Sequence, residues 1–140
     1  MFLLDTNLVS ELLRPRPEPS VLAWVAAQPP PWLYLSAVSL AELWQGVEAL
    51  PEGRRRNQLA LALQPLLEEV FAERLLPFDA AAALMLAQLV NERRRAGRPI
   101  AWGDAQIAAI AHERGLALVT RNVRDFEGCG LGLVNPWAGV

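Results

Sequence analysis

The chain has 140 residues, a formal net charge of −2 at pH 7, and 53% hydrophobic against 20% charged residues. That supports one sizeable core rather than two, and excludes both a disordered chain and a strongly basic body that binds polyanions, so any nucleic-acid contact must use local arginine clusters. All 13 basic residues are arginine, and there is one cysteine, Cys129, and one histidine, His112. Schiff-base lysine chemistry, the Gly-Lys phosphate loop, a disulfide framework and a thiolate or histidine zinc site are thereby excluded, and a reducing cytoplasm is expected.

In chain order, Phe2-Leu3-Leu4 reads as a buried strand stopped by Asp5. Thr6 or Asn7 can cap a short helix ending near Arg14, ahead of Pro15 and Pro17. Ser20 starts a helix to about Gln28. Residues Val21 to Ala41 carry no charge, but Pro29, Pro30 and Pro31 interrupt them, so no membrane-spanning helix is expected there. Met1 to Asp5 shows no basic stretch or cleavage site, so no secretory signal is expected either. Trp32 to Leu35 predicts a second strand, and Ser36 or Ser39 the start of a helix to about Leu50. A helix follows from about Gly53 to Phe71, bent at Pro65, and then a short strand at Leu75 and Leu76. Asp79 caps a long helix, Ala80 to Ala96, stopped by Gly97. Gly103-Asp104 opens another that ends at Gly115. Leu116 to Thr120 and Leu131 to Val134 are the last two strands.

Strands alternating with helices predict an α/β fold with a parallel sheet covered on both faces. Ligands of such sheets bind beyond the strand carboxyl ends, where the strand order reverses. Asp5 and the segment Thr120 to Asp125 both fall just past strand ends. Of the four aspartates, Asp5, Asp104 and Asp125 lie at element ends in apolar surroundings, where an unpaired carboxylate is costly. Each also has a plain structural reading. Asp5 can cap a helix, Glu42 can close a capping box with Ser39, Asp104 can meet a helix dipole, and Asp125 can belong to an Asn/Asp turn. Taken together, Asp5, Glu42, Asp104 and Asp125 suit a hard divalent cation such as Mg²⁺ or Mn²⁺, which takes oxygen ligands and activates water. The chemistry that best matches them is metal-dependent phosphodiester hydrolysis.

Leu3-Leu4-Asp5-Thr6-Asn7, Ser39-Leu-Ala-Glu42, Trp102-Gly103-Asp104-Ala105-Gln-Ile-Ala-Ala and Leu118-Val-Thr120-Arg-Asn122-Val-Arg-Asp125-Phe126 occur in this order and at this spacing. The ordered set resembles the PIN domain, and within it the VapC-type toxins of bacterial type II toxin–antitoxin pairs, over essentially the whole chain. The resemblance implies one domain over residues 1–140, a three-layer α/β sandwich with a central, mostly parallel sheet of four to five strands. It implies an Mg²⁺- or Mn²⁺-dependent ribonuclease that acts on RNA as a homodimer and is held in check by a small antitoxin. Asp5, Glu42 and Asp104 would hold the metal or its water, with Asp125 as the fourth acid and Asn122 as its alternative. Thr6 and Thr120, with Asn7, would orient ligands or phosphate.

Arg98, Arg121 and Arg124 flank the carboxylate segments and are the candidates for RNA phosphate. Arg54 to Arg56 and Arg93 to Arg95 read first as solvated helix faces, the latter also as favourable charges at a helix end. Trp24, Trp32 and Trp44 are expected in the core or at a dimer interface. His112 is expected at the surface, and Gly128-Cys-Gly-Leu-Gly132 as a turn. Two rivals to the nuclease are a phosphatase with Asp5 as nucleophile and a binding module without catalysis. Asn7 stands where the phosphatase needs a second carboxylate, and the acid set argues against the binding module.

Overall fold

A computed structural model of the chain describes residues 1–138. Five short strands form its centre: β1 (Phe2–Leu4), β2 (Leu33–Ser36), β3 (Leu75–Leu76), β4 (Ala117–Val119) and β5 (Leu133–Val134). They pair in parallel in the order β3-β2-β1-β4-β5. The chain thus builds outward from β1 on one side, then crosses over to add β4 and β5 on the other. The order reverses between β1 and β4, where Leu4 lies opposite Val119.

The alternation of strand side chains divides the core into two apolar clusters. Leu3 and Leu118 turn to one face and pack with Leu86, Leu89, Ile107, Ile110 and Phe126, from α5 (Ala80–Arg95), α6 (Trp102–Arg114) and the short α7 (Val123–Phe126). Leu4, Leu35 and Val119 turn to the other. They meet Leu8, Val21, Leu43 and Leu63 from α1 (Thr6–Leu12), α2 (Pro19–Ala27), α3 (Ala37–Glu48) and α4 (Arg54–Pro65). This is the expected three-layer sandwich, with five parallel strands.

The element ends differ from expectation in ways that bear on the site. Asp5, rather than Thr6 or Asn7, caps α1, its side chain accepting the Thr6 N–H. Strand β2 runs from Leu33 to Ser36, and Ser36 caps α3 by accepting the Ser39 N–H at 3.0 Å. The Ser39–Glu42 capping box therefore does not form, because Glu42 lies a turn too far along α3 for its carboxylate to return to the cap. Thr120 falls outside β4. Helix α4 ends at Pro65, which has no N–H to continue the ladder. The chain then widens into a π turn, Leu66–Val70, in which the Phe71 N–H reaches the Leu66 carbonyl. Pro30–Trp32 form a 3₁₀ turn, which leaves Trp32 exposed instead of in the core, whereas Trp24 packs edge-on against Phe2 with ring centroids 5.0 Å apart. No helix among the described residues is long and apolar enough to cross a membrane.

Leu3 is fully buried in the central strand, and Leu61 is 73% exposed on α4. Leu3→Ala is expected to lower unfolding stability by about 2–5 kcal/mol, and Leu61→Ala by no more than about 0.5 kcal/mol, as read by urea denaturation.

Candidate active site

At the carboxyl ends of β1 and β4, where the strand order reverses, Asp5 and Thr120 stand side by side because Leu4 and Val119 are in register. The Asp5 carboxylate is 6% exposed and both its oxygens are engaged. Oδ1 accepts the Thr6 N–H at 2.8 Å, and Oδ2 accepts the Thr120 hydroxyl at 2.7 Å. Thr120 Oγ1 in turn accepts the Asn122 N–H at 3.0 Å, which fixes the hydroxyl proton on Asp5. From the other side, Ser36 caps α3, and Ser39 and Glu42, one turn apart on it, face Thr6 at the start of α1. Thr6 Oγ1 bridges them, 2.9 Å from Ser39 Oγ and 2.9 Å from Glu42 Oε1. Asp104 enters from the first turn of α6. Asp5, Glu42 and Asp104 all line one cleft of about 460 Å³, together with Thr6, Asn7 and Asn122.

Crowded acids raise one another's proton affinity. Burial pushes the Asp5 carboxyl up, against the hydrogen bonds from Thr120 and Thr6, and Glu42 and Asp125 add to the rise. Asp104 is pushed up to about 6, first by burial and then by Asp5, Asp125 and Glu42, with Arg93 opposing. The side-chain oxygen of Asn7 is buried at the same cleft without a hydrogen-bond partner among the described residues. Among those residues no three carboxylate, imidazole or thiolate groups stand close enough to grip one ion by themselves.

The remaining predicted residues divide. Asn122 and Arg121 line the cleft, whereas Asp125, Arg98 and Arg124 do not. Asp125 is exposed on α7, and its charge is felt at Asp5 and Asp104. Arg98 donates from Nη2 to the Arg124 carbonyl at 3.1 Å and to Glu127 at 3.3 Å, bracing the loop after β4. Arg93 departs most from expectation. It is 5% exposed instead of solvated. Its guanidinium donates to the Arg98 carbonyl at 2.7 Å, the Asp125 carbonyl at 2.9 Å and Cys129 Sγ at 3.3 Å. His112 is exposed, as expected.

Comparison with known proteins places the chain in a family. The PIN domain family model matches residues 2–128. The chain belongs to the PIN domain family. It is 41% identical over 137 residues to the VapC ribonuclease Y4jK of Sinorhizobium fredii, covering 98% of both chains. It is 39% identical to Toxin FitB of Neisseria gonorrhoeae over 98% of this chain and 99% of that one. The crystal structure of FitAcB from Neisseria gonorrhoeae superposes with a TM-score of 0.88 at 39% identity, covering 98% of this chain and 99% of that chain.

Sequence reasoning missed four residues that line the cleft of this PIN domain, Ser10, Glu11, Arg14 and Trp137. Ser10 and Glu11 continue a polar stripe down α1 from Asn7, and Arg14 extends it in the turn just beyond the helix; the spacing 7, 10, 11, 14 is the signal that could have shown it. Trp137, in the 3₁₀ turn Pro136–Ala138, closes the cleft from the far end of the chain, and no local pattern marks it.

Because the folded Asp104 carboxyl binds its proton more tightly than an unfolded one, the folded state holds the extra proton between pH 4 and 6. Stability of the metal-free PIN domain therefore falls as pH rises through that window. A rise from 3.8 to about 6 corresponds to about 3 kcal/mol, which solvent screening of this half-buried group cuts to about 1–2 kcal/mol. Asp104→Asn is expected to be more stable than the parent by that amount at pH 7.5 in EDTA, with the difference gone at pH 4, as measured by denaturant titration.

Proposed function

We propose that the chain is a metal-dependent endoribonuclease that hydrolyses RNA phosphodiester bonds and serves as the toxin of a type II toxin–antitoxin pair. The observation that carries this reading is the convergence of Asp5, Glu42 and Asp104 on one cleft at the reversal of strand order. The names of the relatives, a ribonuclease and a toxin, support the same reading. A small antitoxin protein and a second copy of the chain are the partners it implies.

The donor set fits a divalent ion of the Mg²⁺ or Mn²⁺ kind. The carboxylates are hard oxygen ligands held near one another at a cost that a cation relieves, and the unpartnered oxygen of Asn7 faces the same space. Asp5, Glu42 and Asp104 would hold the ion, with Asp125 or Asn122 as the fourth contributor. Direct contacts would be few, with water completing the coordination. Bound there, the ion supplies an activated water and offsets phosphate charge.

The rest falls to the protein. Thr120 and the Thr6 N–H fix the Asp5 carboxylate, so its orientation does not depend on the ligand. Thr6 and Ser39 do the same for Glu42. Arg121 lines the cleft and brings positive charge to a phosphate that the acids alone would repel, which reconciles a sequence pI of about 5.4 with an RNA substrate. Arg124, exposed on α7 beside it, is a second phosphate contact, and Arg98 supports both by holding the loop.

Wild-type protein is expected to cleave total RNA with Mg²⁺ or Mn²⁺ and to stop when EDTA is added. Asp5→Asn and Asp104→Asn should abolish cleavage with the far-UV circular dichroism unchanged. Thr120→Val, which frees Asp5 but keeps all the acids, should slow cleavage by about 10–100-fold. Cleavage by either aspartate variant at the wild-type rate would refute the assignment.

A further inference from the structure

Glu11 is a carboxylate in the cleft wall that no metal role explains. It is 5% exposed, and its Oε1 is already taken. The Trp137 indole Nε1–H donates to it at 3.1 Å and Arg14 Nη1 at 3.4 Å. The indole bond, with Arg14 beside it, holds the Glu11 carboxyl below the usual carboxylate range, so it stays charged and keeps both partners. Trp137 is fixed a second time, because its backbone N–H donates to Asn135 Oδ1 at 3.0 Å and its ring packs against the α1–α4 side of the core.

On this immobilised ring rests Arg121, its Cζ 5.7 Å from the ring centroid. Arg121 is exposed, and beyond this ring it makes no hydrogen bond or ion pair among the described residues. Its charge is therefore held over the indole while its N–H groups remain unclaimed, and a guanidinium so held can bind a phosphate with two parallel hydrogen bonds. Arg14 stands beside it, held by the same carboxylate, with its side chain 64% exposed. Glu11 follows Asp5 by six residues, about 9 Å along a helix axis. That is too far for the phosphate being cut to touch both ends.

We infer that Glu11, Trp137 and Arg121 form a second phosphate subsite on the acid cleft, where Arg121 holds a backbone phosphate of the RNA strand next to the one hydrolysed. Glu11 and Trp137 are positioning residues, and Arg121, with Arg14, contacts the strand. The inference rests on the nuclease reading for its substrate, but phosphate capture itself needs no cleavage.

The test is fluorescence anisotropy with a labelled single-stranded RNA oligonucleotide in EDTA, where a metal-dependent nuclease is silent, at several salt concentrations. Arg121→Ala, a surface change that keeps the fold, is expected to weaken binding about tenfold and to reduce the salt slope by about 0.7, the signature of one lost phosphate contact. Trp137→Ala should match it, and the double variant should be no weaker than Arg121→Ala alone. Trp137→Phe, which keeps a ring but loses the N–H, and Glu11→Gln, which keeps an acceptor, should both lie between. With Mg²⁺ present, Arg121→Ala should raise KM more than it lowers kcat. An unchanged salt slope for Arg121→Ala overturns the subsite, as does a double variant whose losses multiply. If Trp137→Ala does not fold, Arg121→Ala and Trp137→Phe decide the matter. Wild type that cleaves RNA beside an Arg121→Ala that binds normally sinks the subsite and keeps the nuclease. Wild type that binds RNA through Arg121 but does not cleave it with Mg²⁺ or Mn²⁺ present sinks the nuclease and keeps the subsite.

Discussion

The hydrogen bond from Thr120 to Asp5 joins residues 115 apart in sequence, and the rest of the site is organised around it. It exists because β1 and β4 pair in parallel with Leu4 opposite Val119, so the first residue beyond each strand meets its counterpart. A one-residue slip of that register would turn Leu3 and Leu118 away from their cluster and separate the pair at the same time. The apolar core therefore enforces the polar contact. Two buried layers hold the register, and the register holds an acid at the one place in the sheet where neighbouring loops diverge and leave a cleft.

Placing Glu42 and Asp104 beside Asp5 has a cost in stability. Acids that share a cleft compete for protons, and Asp104 carries most of the strain, with its carboxyl pushed up to about 6. Arg93 offsets part of it, acting from inside the protein while its guanidinium donates to the carbonyls of Arg98, after α5, and Asp125, on α7. The cleft is thus electrostatically unfinished, short of positive charge on its floor, whereas on its rim Arg121 offers donors that nothing in the described protein takes up, beside an Arg14 held by Glu11. A substrate that is anionic along its length and a cation at the floor would complete both halves.

Much of the architecture was legible because each strand is a short apolar run closed by a polar residue or, after β3, by Pro77, and most helices carry their own start or stop. Asp5, Glu42 and Asp104 could be singled out because a carboxylate at the end of a buried element is expensive to place there without reason. What the sequence hid was long-range or rotational. Arg93 to Arg95 look alike in a row, yet a helix turns about 100° per residue, and only Arg93 faces the core. Ser36 and Ser39 compete for one cap, and the choice depends on where β2 ends, which strand propensity places only to within a residue or two. The Glu11–Trp137 bond spans 126 residues and follows from how the last turn folds back over α1 and α2, so nothing local announces it.

The sheet also tapers. Its two outermost strands, β3 and β5, are two residues long, and a proline follows each closely, Pro77 after β3 and Pro136 one residue beyond β5. An exposed strand edge is a template on which another chain can add, and brevity together with a missing N–H denies it a foothold. This protein can therefore keep an all-parallel centre, rich in leucine and valine, without offering its flanks to fibrillar growth, and any assembly it enters must be built through side chains rather than by extending the ladder.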